Sequence, residues 1–385
     1  MSTPRQHAIA AHCVFDGTSV HRNAAIVAEG SQIVALVPHA DLPAAMSVAT
    51  LPADCWLAPG FIDLQVNGGG DVLFNDAPTP DGIRAIAAAH RRFGTTSLLP
   101  TLITDAPETA KAALAAVQQV IDSEPGVLGI HLEGPFLSPE RPGVHALRHI
   151  RVPTAEDAKL LTGPRRGAVQ VTLAPERVPQ GFVRQLASAG VRVSLGHSMA
   201  TYAQTRAAMQ EGLTGFTHLF NAMRPLGSRE PGPIAAALES PGAWFGMIAD
   251  GVHVDPAMLR LALRGAARPV LVTDAMPPVG GARSSFRLYG EDIAARDGKC
   301  VRGDGTLAGS MLDMATAVRN CVRLLDVPLE TALRFASGHP ASFLGLEHRL
   351  GRLAPGHRAD MVAIEPKEVK VLRTWTAGLE AERAR

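Results

Sequence analysis

The 385-residue sequence has little of what would indicate a secreted, membrane-bound or nucleic-acid-binding protein. Its four cysteines are widely scattered without paired metal-binding spacing, which indicates reduced, buried thiols. No apolar run is long enough to span a bilayer, and the N-terminus lacks the apolar core of a signal peptide. With 37 Lys plus Arg against 36 Asp plus Glu, no basic excess indicates nucleic acid. We therefore expect a cytoplasmic protein with no membrane and no nucleic-acid partner.

What the chain does contain is a long alternation of short apolar runs and Ala-rich helical stretches, starting near residue 58. Such runs are typical of parallel strands buried on both faces. Eight candidates follow one another, at 61–66, 96–99, 127–132, 168–173, 191–195, 214–217, 244–248 and 269–273. Eight strands that alternate with helices predict an α/β fold, either a closed (β/α)8 barrel or a doubly wound sheet.

The two ends of the chain differ from this middle. Residues 1–57 alternate apolar and polar side chains as β strands do, and residues 346–385 repeat the pattern. We therefore expect one small β domain built from both termini and a barrel domain over 58–345. Residues 280–305, rich in Gly, Arg and Asp, are expected to form an excursion from the barrel.

Four of the apolar runs end on a side chain that can bind a metal or carry a proton: Glu133, His197, His218 and Asp274. Reactive residues of a (β/α)8 barrel lie at the C-terminal strand ends, so these four are expected at one mouth. Taken singly, Glu133 and the two histidines are more often loop caps or structural residues, and for Asp274 a helix N-cap is the less favoured alternative. Together, one carboxylate and two imidazoles suit Zn²⁺ or a similar ion with a position open for water. Asp274 is then the candidate general base.

Polar loop residues after the strands are candidates for substrate contacts. His145 and His253 lie in Gly-containing loops, where an imidazole can polarise a carbonyl or bind a phosphate oxygen. For each His alone, a loop residue without a role is the competing interpretation. Asn221, Ala222 and Arg229 are similar candidates, because backbone N–H groups and one Arg suit an oxyanion.

Seven motifs run along the chain: Ala-Pro-Gly-Phe-Ile-Asp-Leu-Gln-Val-Asn-Gly (58–68), Gly-Ile-His-Leu-Glu-Gly-Pro-Phe (129–136), Leu-Gly-His-Ser (195–198), Phe-Thr-His-Leu-Phe-Asn-Ala-Met (216–223), Asp-Gly-Val-His-Val (250–254), Val-Thr-Asp-Ala-Met (272–276) and Leu-Ala-Gly-Ser (307–310). In order and spacing the chain resembles, over essentially its whole length, the N-acetylglucosamine-6-phosphate deacetylases of the amidohydrolase superfamily. The second and fourth motifs are the most distinctive.

The resemblance implies a (β/α)8 TIM-type barrel with a small β-sandwich domain formed by both termini. It also implies one divalent metal ion per subunit, held by Glu133, His197 and His218. Zn²⁺ is expected first, and Fe²⁺, Co²⁺ or Mn²⁺ also suit such a site. By the same resemblance, Asp274 is the acid–base residue and His145 helps to polarise the acetyl carbonyl.

The implied reaction is hydrolysis of N-acetyl-D-glucosamine 6-phosphate to D-glucosamine 6-phosphate and acetate, in amino-sugar catabolism or cell-wall recycling. The phosphosugar would be held by Ala146, Asn221, Ala222, His253, Leu307, Ala308 and Gly309. In this family the residue that matches Arg229 reaches into the neighbouring subunit's site. The resemblance therefore implies a homodimer.

One position departs from the wider superfamily. Many amidohydrolases carry His-x-His at the end of the first barrel strand, which helps to hold a second metal, whereas this chain has Gln65 and Asn67 there. Amides are poorer ligands for Zn²⁺ than imidazoles. We therefore expect a single-metal site with a vestigial second-metal position, and a weak second site stays open.

Three alternative functions stay open. The first is a deacetylase of N-acetylgalactosamine 6-phosphate or another N-acetyl amino sugar, because epimer choice depends on contacts to a single hydroxyl. The second is a deaminase or cyclic amidase, against which Gln65, Asn67 and the phosphate-binding candidates argue. The third is a catalytically inactive binding protein, which would be expected to lack a metal ligand or the acid–base Asp; this chain has them all.

Overall fold

The computed structural model describes residues 6–381 and contains within them twenty-two strands, ten α-helices and three 3-10 helices. The strands are β1 (His7–Phe15), β2 (Val20–Glu29), β3 (Gln32–Pro38), β4 (Ser47–Thr50), β5 (Trp56–Pro59), β6 (Phe61–Val66), β7 (Gly68–Gly69), β8 (Val72–Leu73), β9 (Thr95–Ile103), β10 (Gly129–Glu133), β11 (Ala168–Leu173), β12 (Arg192–Leu195), β13 (Gly215–Phe216), β14 (Trp244–Met247), β15 (Arg268–Leu271), β16 (Ser285–Leu288), β17 (Glu291–Arg296), β18 (Lys299–Val301), β19 (Leu307–Ser310), β20 (Met361–Glu365), β21 (Lys370–Thr376) and β22 (Leu379–Glu380). The α-helices are α1 (Pro80–Arg91), α2 (Pro107–Val120), α3 (Ala155–Thr162), α4 (Phe182–Ser188), α5 (Tyr202–Gln210), α6 (Gly232–Leu238), α7 (Pro256–Ala262), α8 (Met314–Leu325), α9 (Leu329–Phe335) and α10 (Gly338–Leu344). The 3-10 helices are His39–Asp41, Leu147–His149 and Pro175–Arg177.

Eight parallel strands form the barrel, in the order β6, β9, β10, β11, β12, β13, β14 and β15. The ring closes where Val66, at the end of β6, forms a parallel bridge with Ala275 beyond β15. Next to this bridge, the Asp274 N–H donates to the Gln65 carbonyl oxygen at 2.9 Å. The prediction of a (β/α)8 barrel is confirmed, and the doubly wound alternative is wrong.

The barrel strands show why the sequence has apolar runs without alternation. All nine residues of β9 and all five of β10 are buried, because the barrel interior covers one face of each strand and helices cover the other. Helix α8 is amphipathic: Met314, Val318, Cys321 and Leu325 recur at helical spacing on its buried face. No helix within residues 6–381 combines the length and the apolar character needed to cross a membrane.

Both ends of the chain build one small β domain, as predicted. Its strands lie in the order β22, β21, β20, β5, β1, β2 and β3, with β4 paired to β1. Strand β5 joins the two ends, since it pairs with β1 in parallel and with β20 antiparallel. This sheet has apolar clusters of its own, and Phe15, Ala58 and Val362 of the same sheet pack into the core of the barrel.

The expected excursion, residues 280–305, contains strands β16 to β18, and β19 just beyond it completes a four-stranded antiparallel sheet, here called the excursion sheet. The sequence does not predict these strands. They are short, and they alternate between exposed residues and a few buried ones such as Leu288 and Ile293. The buried residues pack with Met276, which follows the last barrel strand, so this excursion sheet adjoins the barrel mouth.

Candidate active site

Three of the four strand-ending side chains converge at the mouth of the barrel. Glu133 is the last residue of β10, while His197 and His218 follow β12 and β13 by two residues. Glu133 Oε1 lies 2.9 Å from His218 Nε2 and 3.3 Å from His197 Nε2. The two Nε2 atoms are 3.1 Å apart, and all three side chains are buried. One carboxylate oxygen and two imidazole nitrogens thus surround a common point.

This donor set fits a divalent metal ion. Ligands that surround Zn²⁺ tetrahedrally at about 2.0–2.1 Å lie about 3.3 Å from one another, close to the three separations above. His197 Nδ1 lies 2.8 Å from the Arg141 carbonyl oxygen and donates to it, which leaves a lone pair on Nε2 for a ligand bond. Among residues 6–381, this is the one group of three such side chains whose ligand atoms all lie within 4.8 Å of one another.

The charges at this point favour a cation. Burial would raise the pKa of Glu133, but the contacts of its carboxylate with the His197 and His218 imidazoles hold that pKa well below its ordinary value. Burial also lowers the pKa of His218, yet its hydrogen bond to the Glu133 carboxylate outweighs this effect and the net pKa is raised. The ionised carboxylate therefore attracts positive charge towards the two imidazoles.

The backbone is strained where three of the strand-ending residues leave their strands. His197, His218 and Asp274 have φ angles of +48°, +32° and +52°. This left-handed region is uncommon for residues other than glycine, and each instance costs about 1–3 kcal/mol. Strain repeated at three strand ends is typical of functional sites, where the fold holds side chains in a required position.

Asp274 lies beside the triad and is held by two amides. Asn67 Nδ2 donates to Asp274 Oδ1 at 2.6 Å, and Gln65 Nε2 donates to the same oxygen at 3.1 Å. Gln65 Nε2 also lies 3.0 Å from Glu133 Oε2, so it links the two carboxylates. Burial and the Glu133 charge raise the pKa of Asp274 even though the Asn67 hydrogen bond opposes them. A carboxyl with a raised pKa suits proton exchange near neutral pH.

His145 lies on the loop after β10, with its ring centroid 4.3 Å from that of His197. Its Nδ1 faces Thr104, 2.8 Å from the hydroxyl oxygen and 3.3 Å from the backbone nitrogen. Burial and the neighbouring His197 hold the pKa of His145 well below its ordinary value, so the imidazole is neutral. Gly143 allows the loop that carries His145 to pass close to His197. A Cβ at residue 143 would lie 3.1 Å from His197 Cε1, and the φ of Gly143 is +54°.

His253 is paired with a carboxylate instead. Its Nδ1 lies 2.6 Å from Asp250 Oδ2, and both side chains are 7% exposed. Asp250 Oδ1 accepts the backbone N–H groups of Val252 and His253 at 2.8 and 2.9 Å. Burial would raise the pKa of Asp250, but the hydrogen bond from His253 lowers it overall. Asp250 therefore orients the His253 ring.

Most of the predicted site residues line one cavity of about 230 Å³. Those residues are Asn67, Glu133, His145, His197, His218, Asn221, Ala222, His253, Asp274, Leu307 and Gly309. Four predicted residues lie elsewhere. Ala146 lines a neighbouring cavity, Ala308 is buried in the core of the excursion sheet, and Gln65 lies behind the two carboxylates. Arg229 is exposed on a loop and does not line the cavity of its own chain.

The structure also adds a buried carboxyl to the site. Asp63 Oδ2 accepts the Thr273 hydroxyl at 2.5 Å, and its Oδ1 accepts the backbone N–H groups of Gln65 and Thr273 at 3.2 Å. These bonds join β6 to the segment that carries Asp274. Burial raises the pKa of Asp63 to about 7. Its sequence signal is a lone carboxyl inside the apolar run 61–66, which the sequence analysis did not single out.

Comparison with known proteins places this site in a family. A sequence profile described as "Amidohydrolase family" matches residues 56–381. A relative from Shewanella sp. (strain ANA-3), named N-acetylgalactosamine-6-phosphate deacetylase, is 42% identical over 86% of this chain and 84% of its own. A relative from Mus musculus, named N-acetylglucosamine-6-phosphate deacetylase, is 41% identical over 86% of this chain and 85% of its own.

A solved structure gives the same result for the fold. The N-acetylglucosamine-6-phosphate deacetylase from Pasteurella multocida superposes with a TM-score of 0.93 at 34% identity, covering 97% of this chain and 98% of its own. The profile match spans far more than half of the chain, and the relatives exceed 30% identity over most of it. The resemblance that the motifs indicate is thereby confirmed. The chain belongs to the amidohydrolase family.

Proposed function

We propose that the protein hydrolyses the acetamide of N-acetyl-D-glucosamine 6-phosphate to D-glucosamine 6-phosphate and acetate. The names of the relatives from Mus musculus and Pasteurella multocida support this substrate. The observation that carries the proposal is the convergence of Glu133, His197 and His218 beside Asp274 in one cavity. An amide is among the least reactive carbonyl groups, and the cavity combines a cation-binding triad with a group that can exchange a proton.

Glu133, His197 and His218 would hold one divalent ion, with Zn²⁺ as the first candidate. Such an ion, when bound, polarises a carbonyl and lowers the pKa of a water molecule. The three side chains are buried and hydrogen-bonded, so the protein fixes their positions before substrate arrives. Gln65 and Asn67, which the sequence marks as a vestigial second-metal position, donate to the carboxylates of Glu133 and Asp274.

Asp274 moves the proton in this proposal. Both amide donors bind its Oδ1, and its Oδ2 has no hydrogen-bond partner among residues 6–381. Oδ2 is thus available to take a proton from the attacking water and then to deliver it to the departing amine. Protonation of the amine is needed because an amide nitrogen is a poor leaving group until it gains a proton.

The remaining cavity residues bind the sugar phosphate. His253, oriented by Asp250, lines the cavity, while Asn221 and Ala222 lie beside His218 on the same loop. Arg229 forms no ion pair with any described residue and is exposed outside the cavity. We assign it to the site of a second copy of the chain, so the active form is a homodimer.

An acetate-release assay tests the proposal. The purified, metal-analysed protein should release acetate from N-acetyl-D-glucosamine 6-phosphate, and Asp274→Asn should nearly abolish kcat while metal and substrate still bind. Removal of the ion with a chelator should abolish activity, and one equivalent of Zn²⁺ per chain should restore it. Normal kcat in Asp274→Asn, or full activity without metal, would refute the assigned roles.

The epimeric substrate is the second candidate. The Shewanella relative, at 42% identity, is named N-acetylgalactosamine-6-phosphate deacetylase. The two sugars differ only in the orientation of one hydroxyl, so the metal, the base and the phosphate contacts serve both. The same assay on both phosphosugars, with kcat/KM compared, decides between them: the larger value identifies the substrate.

A further inference from the structure

We propose that Thr104 is a positioning residue that fixes His145 as the tautomer with a proton on Nε2 and none on Nδ1. This inference rests on the proposed function, because it assigns to His145 the role of an N–H donor to the substrate carbonyl. The supporting observations are the contacts of a single threonine at the end of β9, a residue to which no role has been assigned above.

The backbone N–H of Thr104 determines the tautomer. It lies 3.3 Å from His145 Nδ1 and has no other acceptor among the described residues. A backbone N–H can only donate, so Nδ1 must present a lone pair to it. A proton on Nδ1 would place two donors face to face and leave a buried N–H unsatisfied, since Thr104 is 1% exposed.

The side chain of Thr104 acts in the same direction. Its Oγ1 lies 2.8 Å from His145 Nδ1 and 3.3 Å from the Glu133 carbonyl oxygen. Once Nδ1 is an acceptor, the hydroxyl proton is directed to it along the shorter contact. Two donors of one residue then bind one ring nitrogen, which excludes the imidazolium form as well as the other tautomer.

The consequence appears on the other side of the ring. A neutral imidazole without a proton on Nδ1 carries it on Nε2. His145 lines the cavity, and its Nε2 has no partner among residues 6–381. A neutral N–H donor can stabilise negative charge that develops on a carbonyl oxygen without adding a second cation beside the metal ligands.

A second contact holds Thr104 itself. The Tyr289 hydroxyl, from the excursion sheet, donates to the Thr104 carbonyl oxygen. Tyr289 is part of the apolar cluster of that sheet. The excursion sheet therefore contacts the residue that orients His145, in addition to the lining residues Leu307 and Gly309 that it contributes to the cavity.

His253 shows that the chain uses the opposite arrangement elsewhere in the same cavity. There Nδ1 faces the Asp250 carboxylate, an acceptor, at 2.6 Å, so this ring keeps its Nδ1 proton. Two histidines of one site thus have Nδ1 partners of opposite kind. The contrast fits the two tasks: His145 donates to the carbonyl from Nε2, and the Asp250 carboxylate orients His253 at the phosphate end of the cavity.

The test compares Thr104→Val, which removes only the hydroxyl, with Thr104→Ser, which keeps it. Thr104→Val should lower kcat on N-acetyl-D-glucosamine 6-phosphate about tenfold with KM nearly unchanged, and Thr104→Ser should recover most of the loss. The matched control is Thr95→Val on the same strand, because Thr95 is buried and its hydroxyl has no partner among the described residues. Its kcat should equal that of the wild type.

Two further measurements separate positioning from a general structural effect. In a His145→Ala background, Thr104→Val should cause no further loss, because it acts only through the ring. With the N-trifluoroacetyl substrate, whose carbonyl is more electrophilic, the losses of Thr104→Val and His145→Ala should shrink together. Additive losses in the double variant, or an unchanged loss on the activated substrate, would overturn the proposal.

The tautomer itself is measurable. In ¹⁵N-histidine-labelled protein, the His145 signal, assigned by its absence in His145→Ala, should show an unprotonated Nδ1 and a protonated Nε2. A protonated Nδ1 would refute the inference even if the enzyme hydrolyses its substrate. If Thr104→Val does not fold, Tyr289→Phe is the alternative variant, because it removes the hydroxyl that holds Thr104. Its loss of kcat should be smaller than that of Thr104→Val, and it should disappear in a His145→Ala background. A loss that persists in that background would refute the inference. A wild-type protein that releases no acetate instead rejects the proposed function.

Discussion

Replacing Asn67 by Ala should shift the pH dependence of the enzyme, because Asn67 controls the charge of Asp274. Its Nδ2 donates to Asp274 Oδ1 at 2.6 Å, the shorter of the two amide contacts to that oxygen. The Oδ1 of Asn67 has no partner among the described residues, so the substitution removes a single side-chain hydrogen bond. Asn67 is 2% exposed, and the lost bond is therefore poorly replaced by solvent.

The magnitude follows from the charge on the acceptor. A hydrogen bond to an ionised group contributes about 1.5–3 kcal/mol. One pKa unit corresponds to about 1.4 kcal/mol, so the pKa of Asp274 should rise by roughly 1–2 units. The direction is upward because the lost bond stabilises the ionised form, and the pKa is already raised by burial and by Glu133. Water that enters the space left by the amide would bring the shift towards the lower value.

The assay is the pH profile of kcat/KM for acetate release, with metal content measured on each sample. A general base works only when deprotonated, so the acid limb should move to higher pH by roughly 1–2 units while the rate above that limb recovers. The control is Asn75→Ala, since Asn75 is also buried and donates to a carboxylate, Asp105, at 2.8 Å, outside the cavity. Its acid limb should stay in place. A loss of rate that is equal at every pH in Asn67→Ala would refute this account.

Two further predictions concern the phosphate end of the cavity. Asp250→Asn should raise KM for the phosphosugar about tenfold with little change in kcat, because the His253 ring loses the carboxylate that orients it. An equal loss on unphosphorylated N-acetyl-D-glucosamine would contradict this. Arg229→Ala should also weaken phosphosugar binding. Mixing Arg229→Ala subunits with Asp274→Asn subunits should restore activity, because one of the two sites in a mixed dimer then has both the Asp274 carboxylate and the Arg229 guanidinium. A mixture as inactive as its components would contradict a shared site.

The barrel could be predicted because its strands are buried on both faces, so that an apolar run marks each of them. The limits of this signal show in β9, which the sequence predicts over 96–99 but which extends from Thr95 to Ile103. Polar residues such as Thr101 interrupt the apolar run. Inside the barrel they are satisfied, since the Thr101 hydroxyl donates to the Leu99 carbonyl oxygen at 3.2 Å and accepts the Val66 N–H at 2.9 Å. A run-based prediction cannot anticipate partners supplied by other strands.

The site residues also divide into those that the sequence can predict and those that it cannot. Glu133, His197 and His218 could be predicted to lie together because each ends a strand, and strand ends of a barrel share one mouth. The contact between Asp250 and His253 could have been predicted from the sequence, because the two residues are three positions apart. The contact between Thr104 and His145 could not have been predicted, because the two residues are 41 positions apart and no motif links them.

The excursion sheet was hidden for a different reason. Strands β16 to β18 have three to six residues each and carry few large apolar side chains, because one face of the sheet is exposed. Alternation over so few residues is weak evidence for a strand. The sheet gains its stability from packing with Met276 and Leu73, which belong to distant parts of the chain. Its contribution to the site, through Tyr289, was therefore accessible only from the structure.

The two amides at the end of β6 influence the charge of the two carboxylates as well as their positions. Glu133 and Asp274 are largely buried carboxylates that repel each other, and the repulsion raises the pKa of Asp274. A second cation would cancel this repulsion and lower that pKa. Gln65 and Asn67 hold both carboxylates with N–H donors of no net charge, so the geometry is kept while part of the repulsion remains. A base that must accept a proton and then release it to an amine benefits from a pKa near the working pH. We infer that the amides suit a one-metal site because they hold Asp274 without making it too weak a base.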